Sequence, residues 1–466
     1  MLFKSHRIKK GALLSKMVEE EIPKIVTPIP GPNAKRIVDA DTKYIVKSTK
    51  TGPVVAKRAY GSIVEDVDGN KLIDFTVGIS VCNIGYNHPK VTEAIKEQAG
   101  KLVHYAGQDW YYEEQVTLAK KLTEITPGTF PKQVFLSNSG TESNEAAIKL
   151  SKFHQKRHQF ISFIGAFHGR SIGSVSLTAS KPNHKEGFFP MMPGVSHVPY
   201  AYCYRCAYKM TYPQCGLWCA KYIEEILFQT YLPPSEVAAV FAEPIQGEGG
   251  YVVPPNDWYK EIKRICEKNG ILFVDDEVQA GMGRTGKWFC TEHYGVVPDI
   301  LTTSKAIASG IPLGATVVRA DLADWKEGSH SNTFGGNTLA CVAALTTIKV
   351  IESEKLLERA TKMGEKAMKR LNEMKEKYEI VGDVRGKGLM IGIEFVKDKK
   401  SKEKLFEAHD DLPLIAIKKG LVLLPCGRNG IRIIPPLNVE EKILDKGLEI
   451  FEESIKELVK QVPKKK

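Results

Sequence analysis

"GILFVDDEVQAGMGRTG", residues 270–286, joins two kinds of residue that rarely share a buried segment. Ile271 to Val274 are apolar and read as a buried strand. Asp275, Asp276 and Glu277 follow without a break, and small and apolar residues then resume. An uncompensated charge at the end of a buried strand is costly, so this strand requires a positive partner at its carboxyl end. Alternation along the strand turns Glu277 away from the face that Asp276 presents.

The surroundings extend the pattern. From about residue 90, amphipathic stretches such as "KVTEAIKEQAGKL" and "EEQVTLAKKLTEI" alternate with short apolar runs: "QVFLS", "QFISFIG", "VAAVFAEPI", "DILTTS" and "GATVVRA". Strands alternating with helices predict an α/β fold with a large, mostly parallel sheet covered on both faces. "GSIVEDVDGNKLIDF" predicts a hairpin turning at Asp68-Gly69. After Asn337 one long helical pattern runs to about Tyr378. "LMIGIEFV", "LVLLP", "IRIIPPL" and a charged helix follow, as in a smaller α+β domain. The expected division is an N-terminal segment over 1–84, a large domain over 85–335 with a cysteine-rich insertion at about 200–220, and a small domain over 336–466.

A chain of 466 residues exceeds one compact core. Its 42% hydrophobic and 26% charged residues are ordinary for a globular protein. No apolar run is long enough for a membrane span. Residues 1–18 are basic and lack acids but carry no secretory core, so a surface arm or helix is expected in a cytoplasmic protein. The net charge of +11 comes with no nucleic-acid reader motif and suits anionic small ligands. Four of the nine cysteines, Cys203, Cys206, Cys215 and Cys219, are spaced C-x2-C-x8-C-x3-C. That spacing is open to a metal site, two disulfides or free thiols.

In open α/β sheets ligands bind at the carboxyl ends of the strands. In "QVFLSNSGTESNEAAIKL" a strand ends near Ser137 and a helix begins near Thr141. Ser139 and Glu142 fit a capping box, and Gly140 lets a phosphate approach the helix N-terminus. In "PDILTTSKAIASGIPLGA", Lys305 follows an apolar, hydroxyl-rich strand and suits a desolvated amine able to form a Schiff base. A Schiff-base lysine, a phosphate cup and a strand-end carboxylate together describe a site for pyridoxal 5'-phosphate.

The motifs "SGTESNEAA", "AFHGR", "EPIQGEGG", "DDEVQAGMGRTG", "DILTTSKAIASGIPLGA" and "SNTFGGN" occur in this order. Together they resemble the class III pyridoxal-phosphate aminotransferases, over roughly residues 60 to 440. The resemblance implies the aspartate-aminotransferase-like fold, type I among pyridoxal-phosphate enzymes, with active sites at a homodimer interface or in a dimer of dimers. It implies that Lys305 carries the cofactor and moves protons, and that Asp276 meets the pyridinium nitrogen. Val278 and Phe167 cover the two ring faces, Gln279 bonds the 3'-oxygen, and His168 belongs to the same cofactor shell. Gly140 and Thr141 form the phosphate cup, and Thr333 reaches the phosphate of the other subunit. Asp275 departs from the family pattern, where a small apolar residue is usual.

The substrates implied are an amine and a 2-oxo acid. Arg432 resembles the arginine for an α-carboxylate, Glu248 the glutamate that masks it, and Arg170 the arginine for a distant carboxylate. The favoured reaction is transfer of an ω-amino group, from 4-aminobutyrate, to 2-oxoglutarate. The alternatives are ornithine, lysine or acetylornithine as donor, and an amino-acid racemase. Racemase relatives tend to carry Asp at the position of Glu248. A zinc-containing basic binding protein is the non-enzymatic alternative.

Overall fold

The computed structural model describes residues 22–461, so the basic segment at 1–18 and the terminal lysines lie outside the described residues. Along the chain come β1 (Ala56–Tyr60), β2 (Ile63–Asp66), β3 (Lys71–Asp74), β4 (Lys132–Ser137), β5 (Gln159–Ile164), β6 (Val195–Pro199), β7 (Val237–Ala242) and β8 (Leu272–Asp276). They continue with β9 (Ile300–Thr303), β10 (Gly314–Arg319), β11 (Val381–Lys387), β12 (Met390–Phe395), β13 (Leu421–Val422), β14 (Leu424–Cys426) and β15 (Gly430–Ile433).

The central sheet has seven strands in the order β4-β10-β9-β8-β7-β5-β6. Strand β10 pairs antiparallel with β4 and β9, while β9, β8, β7, β5 and β6 pair in parallel. The mostly parallel sheet is therefore present, with β10 alone reversed. Strands β7 and β8 are buried at every position, so β7 reads as an unbroken apolar run and β8 as one up to Val274.

Two four-stranded sheets flank it, β1-β2-β3-β13 and β11-β12-β15-β14. Strands β2 and β3 form the expected hairpin, turning where Gly69 takes φ +93° and Asp66 Oδ1 accepts the N–H groups of Asp68 and Asn70. Two expectations need correction. "LVLLP" is not one strand, because Leu421–Val422 pairs with β3 while Leu424–Cys426 pairs with β15. The long helical pattern after Asn337 is two helices, Thr338–Ser353 and Leu356–Lys377. Lys355 adopts a left-handed φ of +50° between them, and an α-helix cannot continue through it.

Six strands of the central sheet point their carboxyl ends the same way. The helix Gly140–Gln155 starts at that edge and packs on β4, β9 and β10.

Candidate active site

The strand ends bring the predicted residues together. Asp276 closes β8, and its Oδ2 lies 2.7 Å from His168 Nδ1 and 2.8 Å from Asn144 Nδ2. His168 stands in the loop after β5, and Asn144 sits in the second turn of the helix Gly140–Gln155. Asp276 Oδ1 accepts the N–H of Val278 at 3.0 Å, which fixes the carboxylate on its own turn. Asn144 also donates to the His168 carbonyl at 2.7 Å and accepts from Thr302 Oγ1 at 2.9 Å, tying the helix to the loop after β5 and to strand β9.

Lys305 follows β9 and is half-buried. Desolvation of its ammonium lowers its pKa, against the pull of Asp276 and Glu243. Its φ of +36° is a strained, left-handed backbone for a lysine. Strain of this kind is held only where surrounding packing enforces it, and it clusters at functional sites.

At the helix start, Ser139 Oγ accepts the N–H of Glu142 at 3.4 Å. Glu142 returns its carboxylate to the N–H of Asn138 at 2.5 Å, one residue before the position that a capping box specifies. A Cβ on Gly140 would stand 2.7 Å from Val278 Cγ1, so only glycine lets the helix N-terminus approach the turn after β8. Thr141 Oγ1 lies 2.6 Å from Ser171 Oγ.

Phe167 donates its N–H to Glu243 Oε1 at 2.9 Å, and its ring meets His184 edge-on at 5.5 Å. Arg170 is exposed, with its guanidinium 5.5 Å from the Phe167 ring centre. Arg432, on β15, is buried and places Nη2 3.0 Å from Glu248 Oε2. Its Nε is buried without a protein partner. Thr333 is exposed in a surface turn and is not among the side chains gathered around Asp276.

Several functional positions escape the sequence reading. Glu243 binds the N–H groups of Phe167 and Gly247, joining the two loops, and burial pushes its carboxyl up to about 7. Asn144 lies four residues after Gly140, on the helix face turned toward the site, and that spacing was its only signal. Lys181 forms a 2.8 Å ion pair with Glu248 and had no signal at all.

The acidic triplet divides as alternation requires. Asp275 accepts a hydrogen bond from Tyr259 at 2.5 Å, and Glu277 accepts the N–H of Thr291 at 2.7 Å. Burial pushes both carboxyls upward. Both flanking acids are thereby biased toward the neutral form, which eases the charge problem posed by three adjacent acids.

The cysteine quartet gathers in one place, with Cys203, Cys215 and Cys206 all near enough to act on Cys219. Among the described residues no group of three or more His, Cys, Asp or Glu is arranged for a metal, and all four cysteines are free thiols. Burial and the neighbouring thiols of Cys203, Cys215 and Cys206 push Cys219 up to about 12, and burial raises Cys203. Two disulfides are not formed either.

The model of the family described as Aminotransferase class-III matches residues 44–455. The chain belongs to the class III aminotransferases. These are pyridoxal-phosphate enzymes of the type I fold. The residues fit that cofactor: a fixed carboxylate faces a desolvated lysine, and His168 Nε2 and Gln279 Oε1 are buried with no protein partner. These two unpaired polar atoms leave hydrogen-bonding capacity for a polar ligand beside Asp276 and the turn after β8.

Relatives of this class III chain carry more than one activity. It is 41% identical to an alanine/serine racemase of Pyrococcus horikoshii, over 94% of this chain and 93% of the relative. It is 37% identical to a 4-aminobutyrate aminotransferase of Mycobacterium leprae, over 93% and 98%. A thermostable (S)-enantioselective omega-transaminase from Thermomicrobium roseum superposes with a TM-score of 0.85 at 32% identity, covering 91% of this chain and 99% of that one. Among the described residues no helix is long and apolar enough to cross a membrane.

Proposed function

We propose that this class III enzyme transfers the ω-amino group of a straight-chain amino acid, best 4-aminobutyrate, to 2-oxoglutarate. The observation that carries the reading is the 3.0 Å pair between Arg432 and Glu248. A buried guanidinium is the natural receptor for an α-carboxylate, because its planar fork matches the two oxygens. Here Glu248 already occupies it. A donor without an α-carboxylate leaves the pair intact, and Arg170 is free to meet its distant carboxylate. A 2-oxo acid displaces Glu248 and uses Arg432 directly.

Bound pyridoxal phosphate supplies an electron sink for the carbon that loses its proton. Asp276, fixed by His168, Asn144 and the Val278 N–H, holds the ring nitrogen protonated. Lys305, whose pKa burial lowers, would take the proton from the substrate carbon and return it on the cofactor side. Val278 and Phe167 exclude water from the two ring faces, and Gln279 and His168 supply hydrogen bonds at the ring edge. Gly140 and Thr141 receive the phosphate at the helix N-terminus. A homodimer completes the site with Thr333 from the second subunit. The exposure of Phe334 at 59%, Trp110 at 56% and Tyr111 at 95% supports a covered face of this kind.

A second reading, amino-acid racemase, is favoured by the 41% identical relative. It needs a proton donor on the face opposite Lys305. Glu248 suits this poorly: burial raises its pKa, but Arg432 and Lys181 outweigh burial and hold it below the usual carboxylate range. It therefore carries no proton to give at neutral pH.

A donor panel with 2-oxoglutarate, followed by glutamate formation, tests the first reading. It stands if 4-aminobutyrate reacts and is replaced if ornithine reacts far faster. Incubating an L-amino acid without any oxo acid and finding its D-form accumulate would establish the racemase instead.

A further inference from the structure

We infer that Lys181 is a positioning residue that sets how readily Arg432 becomes available to an α-carboxylate. The inference rests on the Arg432–Glu248 reading and goes beyond it. Glu248 is held from two sides: Oε2 meets Arg432 Nη2 at 3.0 Å, and Oε1 meets Lys181 Nζ at 2.8 Å. The two cations come from different parts of the chain. Arg432 lies in the middle of β15, bonded into its sheet. Lys181 caps the short turn Pro182–His184, whose His184 packs against Phe167.

The consequence follows from which contacts survive unmasking. When a substrate α-carboxylate takes Arg432, Glu248 loses one of its two cations. Its side chain is only 21% exposed, so a bare carboxylate there is poorly solvated. Lys181 still pairs with the second oxygen and keeps the displaced glutamate charged and neutralised in place. Remove Lys181, and Glu248 has Arg432 alone. The mask then tightens, and every ligand that must displace it binds more weakly. A donor that leaves the mask closed is affected little, because Glu248 keeps Arg432 throughout. Lys181 thus acts on one class of ligand and not the other, which a purely structural role would not do.

Lys181→Met keeps the side-chain stem and removes the charge, and Lys181→Arg restores the charge. Calorimetric titration of the pyridoxal-loaded enzyme with 2-oxoglutarate, with which that form does not react, reads the mask directly. The expected result is affinity about tenfold weaker in Lys181→Met, equivalent to about 1.4 kcal/mol. Affinity is restored in Lys181→Arg, and the KM for 4-aminobutyrate stays within about twofold in both. Equal 2-oxoglutarate affinity in wild type and Lys181→Met overturns the inference, as does an equal loss for both ligands. A wild-type enzyme that racemises amino acids and ignores 4-aminobutyrate overturns the aminotransfer reading alone, since the titration still decides the role of Lys181. A wild-type enzyme that binds no 2-oxoglutarate overturns both.

Discussion

Tyr259 donates a 2.5 Å hydrogen bond to Asp275 on the face of the sheet opposite to that of Asp276. Two neighbouring aspartates therefore have unlike environments. Asp276 is oriented by His168 and Asn144 beside Lys305, whereas Asp275 is buried against Tyr259, and desolvation pushes its carboxyl upward.

A protonated carboxyl and an amide have similar shape and can both donate a hydrogen bond. Asp275→Asn is accordingly expected to keep kcat within about twofold of wild type. Asp276→Asn removes the charge that holds the ring nitrogen protonated, and kcat should fall by about 10²–10³. Steady-state kinetics of the two variants, measured side by side, check the assignment; equal losses would contradict it.

The same burial gives a pH signature. Asp275 has a folded pKa raised to about 8, against about 3.9 in an unfolded chain. Between those values the folded protein holds a proton that the unfolded chain has lost. Its contribution to stability is complete below the unfolded value and declines as pH rises through the window. Thermal melting from about pH 5 to about pH 8 should show a smaller decline in Asp275→Asn than in wild type. Parallel curves would show that Asp275 is ionised in the folded state.

Lys305→Ala removes the amine that tethers the cofactor. The purified variant should lose the near-visible band of the bound cofactor, and its aminotransfer rate should fall by at least about 10². An unchanged absorbance spectrum would refute the placement of the site at the end of β9.

Glu248→Gln removes the mask's charge while keeping its length. Arg432 then meets α-carboxylates without competition. The kcat/KM for glutamate as donor, relative to that for 4-aminobutyrate, should rise about tenfold, a change of about 1.4 kcal/mol. Arg432→Lys replaces the planar fork with a point charge and should raise the KM for 2-oxoglutarate by a similar factor. Measuring both donors and the acceptor separates these effects from a general loss of activity.

Local pattern was legible because it depends on neighbours along the chain. The apolar runs of β7 and β8 announced buried parallel strands, Asp68-Gly69 announced a hairpin, and Gly140 with Ser139 announced a helix start beside a strand. The break at Lys355 was not legible. Helix-forming residues continue across it, and only one residue's backbone changes hand. The division of "LVLLP" between two sheets was hidden for a similar reason, since strand partners are chosen by packing and not by the strand's own composition.

The family and the fold class were legible along the chain, and Lys305 and Asp276 stood out as candidates, because their chemistry is tied to short motifs at strand ends. Only the tertiary structure decided what those residues face. His168 and Asn144 reach Asp276 from 108 and 132 residues away, and Lys181 reaches Glu248 across the site. It also resolved the acidic triplet. Protonation depends on how completely a group is removed from water and on which charges surround it. Those quantities exist only once the chain has folded, so three adjacent acids in the sequence become one oriented carboxylate and two buried carboxyls shifted toward the neutral form.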